Sequence, residues 1–339
     1  MKRIFLILSL SLTISIPGYS WLYPEHRDIM LRAIRQLDPS KRKLLDQIWS
    51  TARIGNEKRL FVDVIDTAQR LQPQFIDYAA WPAISGDHSC SPENLVDIVL
   101  NSDWILNVAK VTAALKAGIA HSHNSGEIEN YMREADMKLL RADPEYVSRA
   151  GANYAHFKLA LPEINTSASD YMELCIKTGC PLNITGIYTW LHTSAMEMAS
   201  LLSTPGLTDQ QQRNISIALL ANEAFAIHFL EDCFASGHVA GIWGDASQRK
   251  GTHDFYNASG FQVTTWDGKR MVLMGDAYMR ESDEQISANA VRASLEQLLN
   301  LIEKKEKNEP HVSEMGQARP DTFSVCRNAT MPPRNFNAS

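Results

Sequence analysis

One stretch limits what this chain can fold into more than any other. From Asp209 to Phe234 apolar residues recur at intervals of three and four, Ile215, Leu219, Ala226 and Leu230 among them. That periodicity predicts a long helix, with Asp209 as its cap. The helix closes on Ile227-His228-Phe229-Leu230-Glu231-Asp232-Cys233-Phe234-Ala235-Ser236-Gly237-His238, a His-x3-Asp-x5-His pattern. Residues four apart share one helix face, so His228 and Asp232 can address the same ion. Past Gly237, His238 can return to that pocket from the helix end. Two imidazoles and a carboxylate converging in this way suit zinc. A buried hydrogen-bonded His–Asp pair in a core helix is the plainer alternative, and the other histidines weigh against it.

The rest of the chain reads mostly helical. Helices are predicted over Asp28–Leu37, Leu95–Ala117, Glu127–Arg141, Gly186–Leu202 and Asp283–Lys304 as well as Asp209–Phe234. Breakers separate them at Pro73, Ser91-Pro92, Asp143-Pro144, Gly179-Cys180-Pro181 and Thr204-Pro205-Gly206. One β-hairpin is predicted, with Gln262–Trp266 and Lys269–Leu273 flanking an Asp267-Gly268 turn. There are no internal repeats and no dividing linker. The expectation is an all-α fold, a single large helical domain over 21–302, with a small β-hairpin near 262–273. From Glu303 the chain passes into a polar stretch, 303–339, read as a tail or small appendage.

At the N-terminus Lys2 and Arg3 precede an apolar run from Ile4 to Ile16 and then Pro17-Gly18-Tyr19-Ser20. That is the pattern of a signal peptide over 1–20, cleaved between Ser20 and Trp21. The run is short for a membrane span, and no later segment approaches about 18 consecutive apolar residues. The mature protein is therefore expected to be secreted or periplasmic and not integral to a membrane. Cleavage would leave Trp21 with a free α-amine. The formal net charge of −6 argues against a stable nucleic-acid complex, which ordinarily needs a basic stripe. It leaves room for a nuclease whose metal ions meet the phosphate. Export permits disulfides, and of the five cysteines Cys175 and Cys180 would close a tight local loop. One cysteine must then stay unpaired within the chain, and Cys233 carries no assigned chemistry.

Most other histidines sit beside further candidate ligands. His26 lies five residues after Trp21, near enough for a terminal amine and an imidazole to grip one ion. Asp77 precedes Trp81-Pro82 and the segment Gly86-Asp87-His88-Ser89-Cys90-Ser91-Pro92. His156 occurs in Asn153-Tyr154-Ala155-His156-Phe157, and His253 opens His253-Asp254-Phe255-Tyr256-Asn257, where Asp254 and Asn257 offer oxygen donors. His192, on an apolar helix, is either a satisfied core histidine or a ligand or substrate contact. His121, His123 and His311 lie among polar residues and read as solvated.

Taken together, Trp21, His26, His228-x3-Asp232-x5-His238 and a later histidine resemble the zinc-dependent phospholipase C family and its relatives, the fungal single-strand-specific zinc nucleases. Segments Gly86–Pro92, His228–Gly241 and Gly251–Asn257 are similar to those of a bacterial branch of the phospholipases C, and the resemblance runs from Trp21 to about Asp276. It implies an all-α fold around three clustered zinc ions. By that resemblance Trp21 would bind one ion through its amine and carbonyl, with His26. Asp232 would bridge this ion to a second held by His228 and an upstream histidine, either His88 or His156. His238 and His253 would hold the third, whose last ligand in the family is a carboxylate four residues on. Here that position is Asn257, so either Asn257 binds through its carbonyl, or Asp254 takes over, or the third site is weak. The family's aspartate that helps activate the attacking water has two candidates, Asp77 and Asp87.

Clustered zinc ions suit phosphodiester hydrolysis because they lower the pKa of bound water from about 15.7 toward about 7 and neutralise the phosphoryl oxygens. A nearby carboxylate can orient the water or take its proton. No Gly-x-Ser-x-Gly elbow, dinucleotide fingerprint or phosphate loop competes with this chemistry. The expected activity is hydrolysis of the glycerol-side phosphodiester of phosphatidylcholine-like phospholipids at a membrane surface. Trp81, Phe157 and Tyr256 could cage a choline ammonium, stack a nucleobase or simply pack the core. The alternatives are a single-strand-specific nuclease or nucleotidase, and an exported zinc-binding protein with weakened catalysis.

Overall fold

The computed structural model describes residues 21–304, apart from Gln69, Ala152 and 242–249, together with residues 324–327. The expected signal segment 1–20 and most of the 303–339 stretch lie outside the described residues. The architecture is all-α with one small antiparallel hairpin, as the periodicity requires.

α1 (Tyr23–Arg35) and α2 (Pro39–Arg53) open the chain, the second capped by Asp38, whose carboxylate accepts from Lys41 N, with Pro39 at the first helical position. The short α3 (Ala80–Ile84) is wholly buried and delivers the Gly86-Asp87-His88 turn. The predicted single helix over 95–117 is instead two, α4 (Pro92–Asn101) and α5 (Trp104–Ala120), meeting at 89°. The break falls at Ser102-Asp103, polar residues that periodicity alone does not register as a stop. α6 (Ser125–Ala142), α7 (Tyr146–Gly151), a 3₁₀ turn (Tyr154–His156) and α8 (Ala168–Ile176) follow. Then come α9 (Ile184–Leu202) and α10 (Asp209–Asp232). The cap of α10 is Thr208 and not Asp209: its hydroxyl accepts from Gln211 N while Gln211 Oε1 accepts from Thr208 N, closing a capping box.

The second half of α10 is the centre of the molecule. Leu219, Leu220, Ala221, Ala224, Phe225, Ala226, Ile227 and Phe229 are all buried, although they point in every direction around the helix. A helix apolar all round has to be covered on all sides. α1, α2, α3, α4, α9 and α13 (Glu281–Lys304) do so. The polar residues carried on this buried segment therefore sit far from bulk water. Two short helices, α11 (Ser236–Ala240) and α12 (His253–Ser259), continue from its end.

The hairpin pairs β1 (Phe261–Thr264) with β2 (Arg270–Leu273), Phe261 opposite Leu273 and Thr264 opposite Arg270. Its turn is longer than the expected two residues. Gly268 N donates to Thr265 O, Thr265 N donates to Lys269 O, and Gly268 has a φ of 82°. That is a type I turn with a glycine bulge, and it lifts Trp266 out of the strand and onto the turn.

The cysteine expectation is corrected. Cys90 and Cys326 form the disulfide, while Cys175, Cys180 and Cys233 are free. Asn183 Nδ2 donates to both the Cys175 carbonyl and Cys180 Sγ, fixing this turn by hydrogen bonds. The bond to Cys326, reinforced by Val325 N donating to Cys90 O, fastens residues 324–327 beside the Gly86–Pro92 segment. Among the described residues no single helix is long and apolar enough to cross a membrane.

Candidate metal centre

The last turn of α10 places His228 Nε2 3.5 Å from Asp232 Oδ2, both side chains fully buried. α1 packs alongside and brings His26, whose ring stacks on that of His228 with centroids 4.5 Å apart. His26 Nδ1 is hydrogen-bonded to Glu231 Oε2 at 2.5 Å, and its Nε2 stands 3.5 Å from Asp232 Oδ1. The indole of Trp21 donates to the Glu231 carbonyl at 2.9 Å, so the start of the described chain is pinned to the same turn. From the opposite side, the 3₁₀ turn delivers His156, with Nδ1 3.6 Å from Asp232 Oδ2 and Nε2 3.3 Å from His228 Nε2.

Ring orientations are set from behind. His228 Nδ1 donates to the Pro82 carbonyl at 3.0 Å and His238 Nδ1 donates to the His156 carbonyl at 2.8 Å. A backbone carbonyl can only accept, so Nε2 of each ring keeps its lone pair. His238 Nε2 then faces His253 Nε2 at 3.1 Å. Nitrogens this close need a proton or a cation between them. Burial, reinforced by His228 and the other neighbouring imidazoles, pulls His26 and His156 well below the usual imidazole range. Burial takes His228 down to about 3. All three are thus neutral at physiological pH, the form that ligates metal. His26 Nε2 and His156 Nδ1 are buried and make no hydrogen bond.

Among the described residues, four groups of buried or half-buried side chains have ligand atoms within 4.8 Å of one another: His26, His228 and Asp232; Asp87, His156 and His228; His156, Asp232 and His238; and His253, Asp254 and Asp276. These groupings can hold metal ions, and Asp232 belongs to two of them. Gly86 shows how closely the backbone covers them. It has a φ of 73°, and a Cβ there would overlap His228 Nε2 and come within 3.0 Å of His156 Nε2. Only glycine combines that conformation with that approach.

Of the two upstream histidines, His156 belongs to these groupings and His88 does not. His88 Nδ1 is hydrogen-bonded to Asp143 Oδ2 at 2.9 Å, and its ring stacks on Tyr146 at 4.6 Å. Of the two aspartates, Asp87 joins His156 and His228, whereas Asp77 is engaged elsewhere. Its carboxylate accepts from Arg27, Asp66 N and Ala80 N. Asn257 packs directly against the His253–Asp254–Asp276 group. Its Oδ1 accepts from Gly237 N at 2.7 Å and its Nδ2 donates to Asp276 Oδ2 at 2.6 Å.

Asp276 is the carboxylate that sequence reasoning missed. It lies 3.8 Å from His253 Nδ1, and burial, then Glu25, Asp254 and Asp232, push its carboxyl well above the usual range. Glu231 was also missed as a partner of His26. Asp276 follows β2, out of any helical register with His253, and its one signal is the Gly275-Asp276 pair. Gly275 is required there because a Cβ would collide with Asn257. Trp81 and Phe157 are fully buried, Trp81 against Trp49 and Tyr78 and Phe157 against His238. His192 belongs to a separate buried network with Glu223, Ser294 and Gln297, and His121 and His123 are exposed. No family model, curated protein or solved structure matches the chain.

Proposed function

We propose that this is an exported zinc-dependent phosphodiester hydrolase, a phospholipase C acting on phosphatidylcholine-like lipids. The observation that carries the reading is the spacing of the buried donors. Ligands about 2.0–2.1 Å from zinc in a tetrahedron stand about 3.3–3.4 Å from one another. Five donor pairs here, His238–His253, His156–His228, His26–Asp232, His228–Asp232 and His156–Asp232, stand 3.1 to 3.6 Å apart. Neutral imidazoles with their lone pairs turned inward fit zinc better than a hard cation that prefers oxygen.

His26 with Asp232, and the α-amine and carbonyl of Trp21 after cleavage, would hold one ion. Asp87, His156, His228 and Asp232 would hold a second. His238, His253, Asp276 and Asp254 supply the donors for a third, with Asn257 orienting Asp276. Zinc in this cluster supplies Lewis acidity toward the phosphoryl oxygens. The chain's own residues do the positioning. Glu231 holds the His26 ring, the Pro82 and His156 carbonyls hold His228 and His238, and Asp87 is the carboxylate placed to take a proton from water at the cluster. Asp77, committed to Arg27, is not proposed for that role.

The choice of a lipid over a nucleic acid rests on the motif resemblance and on the absence of a basic stripe in a chain of net charge −6. The test is a parallel assay of the processed protein on phosphatidylcholine and on single-stranded DNA, with and without EDTA, alongside elemental analysis. Metal-dependent release of diacylglycerol is the expected result. DNA cleavage with intact lipid would replace this reading with a nuclease, and bound zinc with no turnover of either would leave a zinc-binding protein.

A further inference from the structure

Two neighbouring segments carry large apolar side chains into solvent. On the loop after the 3₁₀ turn Ile164 is 92% exposed and Leu161 42%. On the hairpin Trp266 is 55% exposed. The two segments are fastened together, since Trp266 Nε1 donates to Thr166 O at 2.9 Å and its ring packs on Tyr171 at 5.6 Å. The indole thus has its polar edge satisfied by backbone and its apolar face outward, an arrangement suited to an interface between water and hydrocarbon.

Both segments are direct continuations of the metal centre. The loop begins two residues after His156, and Lys158 N donates to the His238 carbonyl at 3.1 Å. The hairpin follows α12, which begins with His253. Whatever covers this patch is therefore held beside the ligand-bearing turns. Its charge narrows the choice. Residues 158–170 and 261–273 carry three bases (Lys158, Lys269, Arg270) and three acids (Glu163, Asp170, Asp267), a balance of zero on a chain of net charge −6. A neutral apolar face on an acidic protein matches a zwitterionic surface and gains nothing from an anionic one.

We propose that Leu161, Ile164 and Trp266 form a docking surface that seats the protein on a zwitterionic phospholipid bilayer, bringing the metal centre to the lipid head groups. The choice of a bilayer rests on the lipid-hydrolase reading above. Side chains of this size entering the acyl boundary provide the gain, while the protein lies on the membrane and does not span it.

The experiment is cosedimentation of the processed, metal-loaded protein with phosphatidylcholine vesicles. Turnover is measured separately on a short-chain phosphatidylcholine kept monomeric. Ile164→Asp is expected to lower vesicle partitioning about tenfold or more, with circular dichroism and monomer turnover unchanged. Ile54→Asp, an equally simple change at a residue 51% exposed elsewhere, is expected to leave partitioning unaltered. Equal partitioning of Ile164→Asp and the parent protein would overturn the proposal. So would an equal loss from Ile54→Asp, or a dimer in sedimentation analysis that Ile164→Asp dissociates without altering vesicle binding. Partitioning that depends on Ile164 without any lipid turnover would support the surface and refute the activity. Lipid turnover without Ile164-dependent partitioning would do the reverse.

Discussion

Replacing Asp232 by asparagine gives the sharpest test of the metal centre, because the sign of its effect depends on whether ions are present. Asp232 is fully buried, belongs to two of the four ligand groups, and lies beside Glu231, whose carboxyl is pushed well above the usual range by burial and then by Asp232 itself. An ion that binds only the folded state contributes about 4 kcal/mol when its free concentration is a thousand times its Kd. Loss of the two ions that share Asp232 would then remove about 8 kcal/mol, or on the order of 15 °C in Tm for a domain of this size. In EDTA the order should invert. The parent protein then has to keep the Asp232 carboxylate buried without a cation, whereas the Asp232→Asn variant removes that buried charge and should be the more stable by about 1–3 kcal/mol. Asp276→Asn, confined to the His253–Asp254–Asp276 group, should cost one ion and about half as much. The assay is thermal unfolding with zinc and with EDTA, alongside metal content per chain. If Asp232→Asn destabilises equally in zinc and in EDTA, Asp232 is a packing residue and the shared-ligand argument is wrong.

Three further outcomes follow from the same structure. Adding one residue before Trp21 of the processed chain should cost one ion and most of the activity, because an amide nitrogen replaces the amine, and metal content per chain checks it. Stability should also depend on pH through His192. Burial lowers its pKa, but Glu223 and the hydrogen bond to Gln297 outweigh that and hold it above the ordinary imidazole value. Since the unfolded ring titrates near about 6.5, the contribution is full below that pH and is lost as pH rises through the higher folded-state value. His192→Gln should therefore destabilise more at about pH 5.5 than at about pH 8.5 in urea unfolding. Cys326→Ala opens a loop spanning 236 residues, and chain entropy sets the loss at about 5 kcal/mol at most. Denaturant unfolding with and without reductant measures it, and no difference would mean the unfolded chain is not constrained by this bond.

How much of this was legible in the sequence depended on whether a signal was local. α10 announced itself through period and length, and the four-residue step from His228 to Asp232 fixed their shared face before any tertiary contact was considered. His26 and His238 could be nominated because each lies close to a marked point, the expected cleavage site before Trp21 and the glycine after the helix. His88 and His156 could not be separated by local rules, since both stand next to polar turns. What separates them is Asp143 and Arg149, a tertiary pair that engages His88 and leaves His156 to face Asp232. Asp77 and Asp87 were indistinguishable for the same reason until Arg27 claimed Asp77. Asp276 shows where such reasoning runs out. The third site reads as deficient because the carboxylate that the resemblance implies four residues after His253 is Asn257 in this chain. The missing charge enters from beyond the hairpin, and Asn257, with an amide in place of a carboxylate, can donate to it at 2.6 Å. An aspartate at position 257 would set two carboxylates against each other, so Asn257→Asp is expected to weaken the third site although it supplies the carboxylate that the motif resemblance implies there. Recovery of a full complement of ions and activity in that variant would show that Asn257 is a defect, not the partner of Asp276.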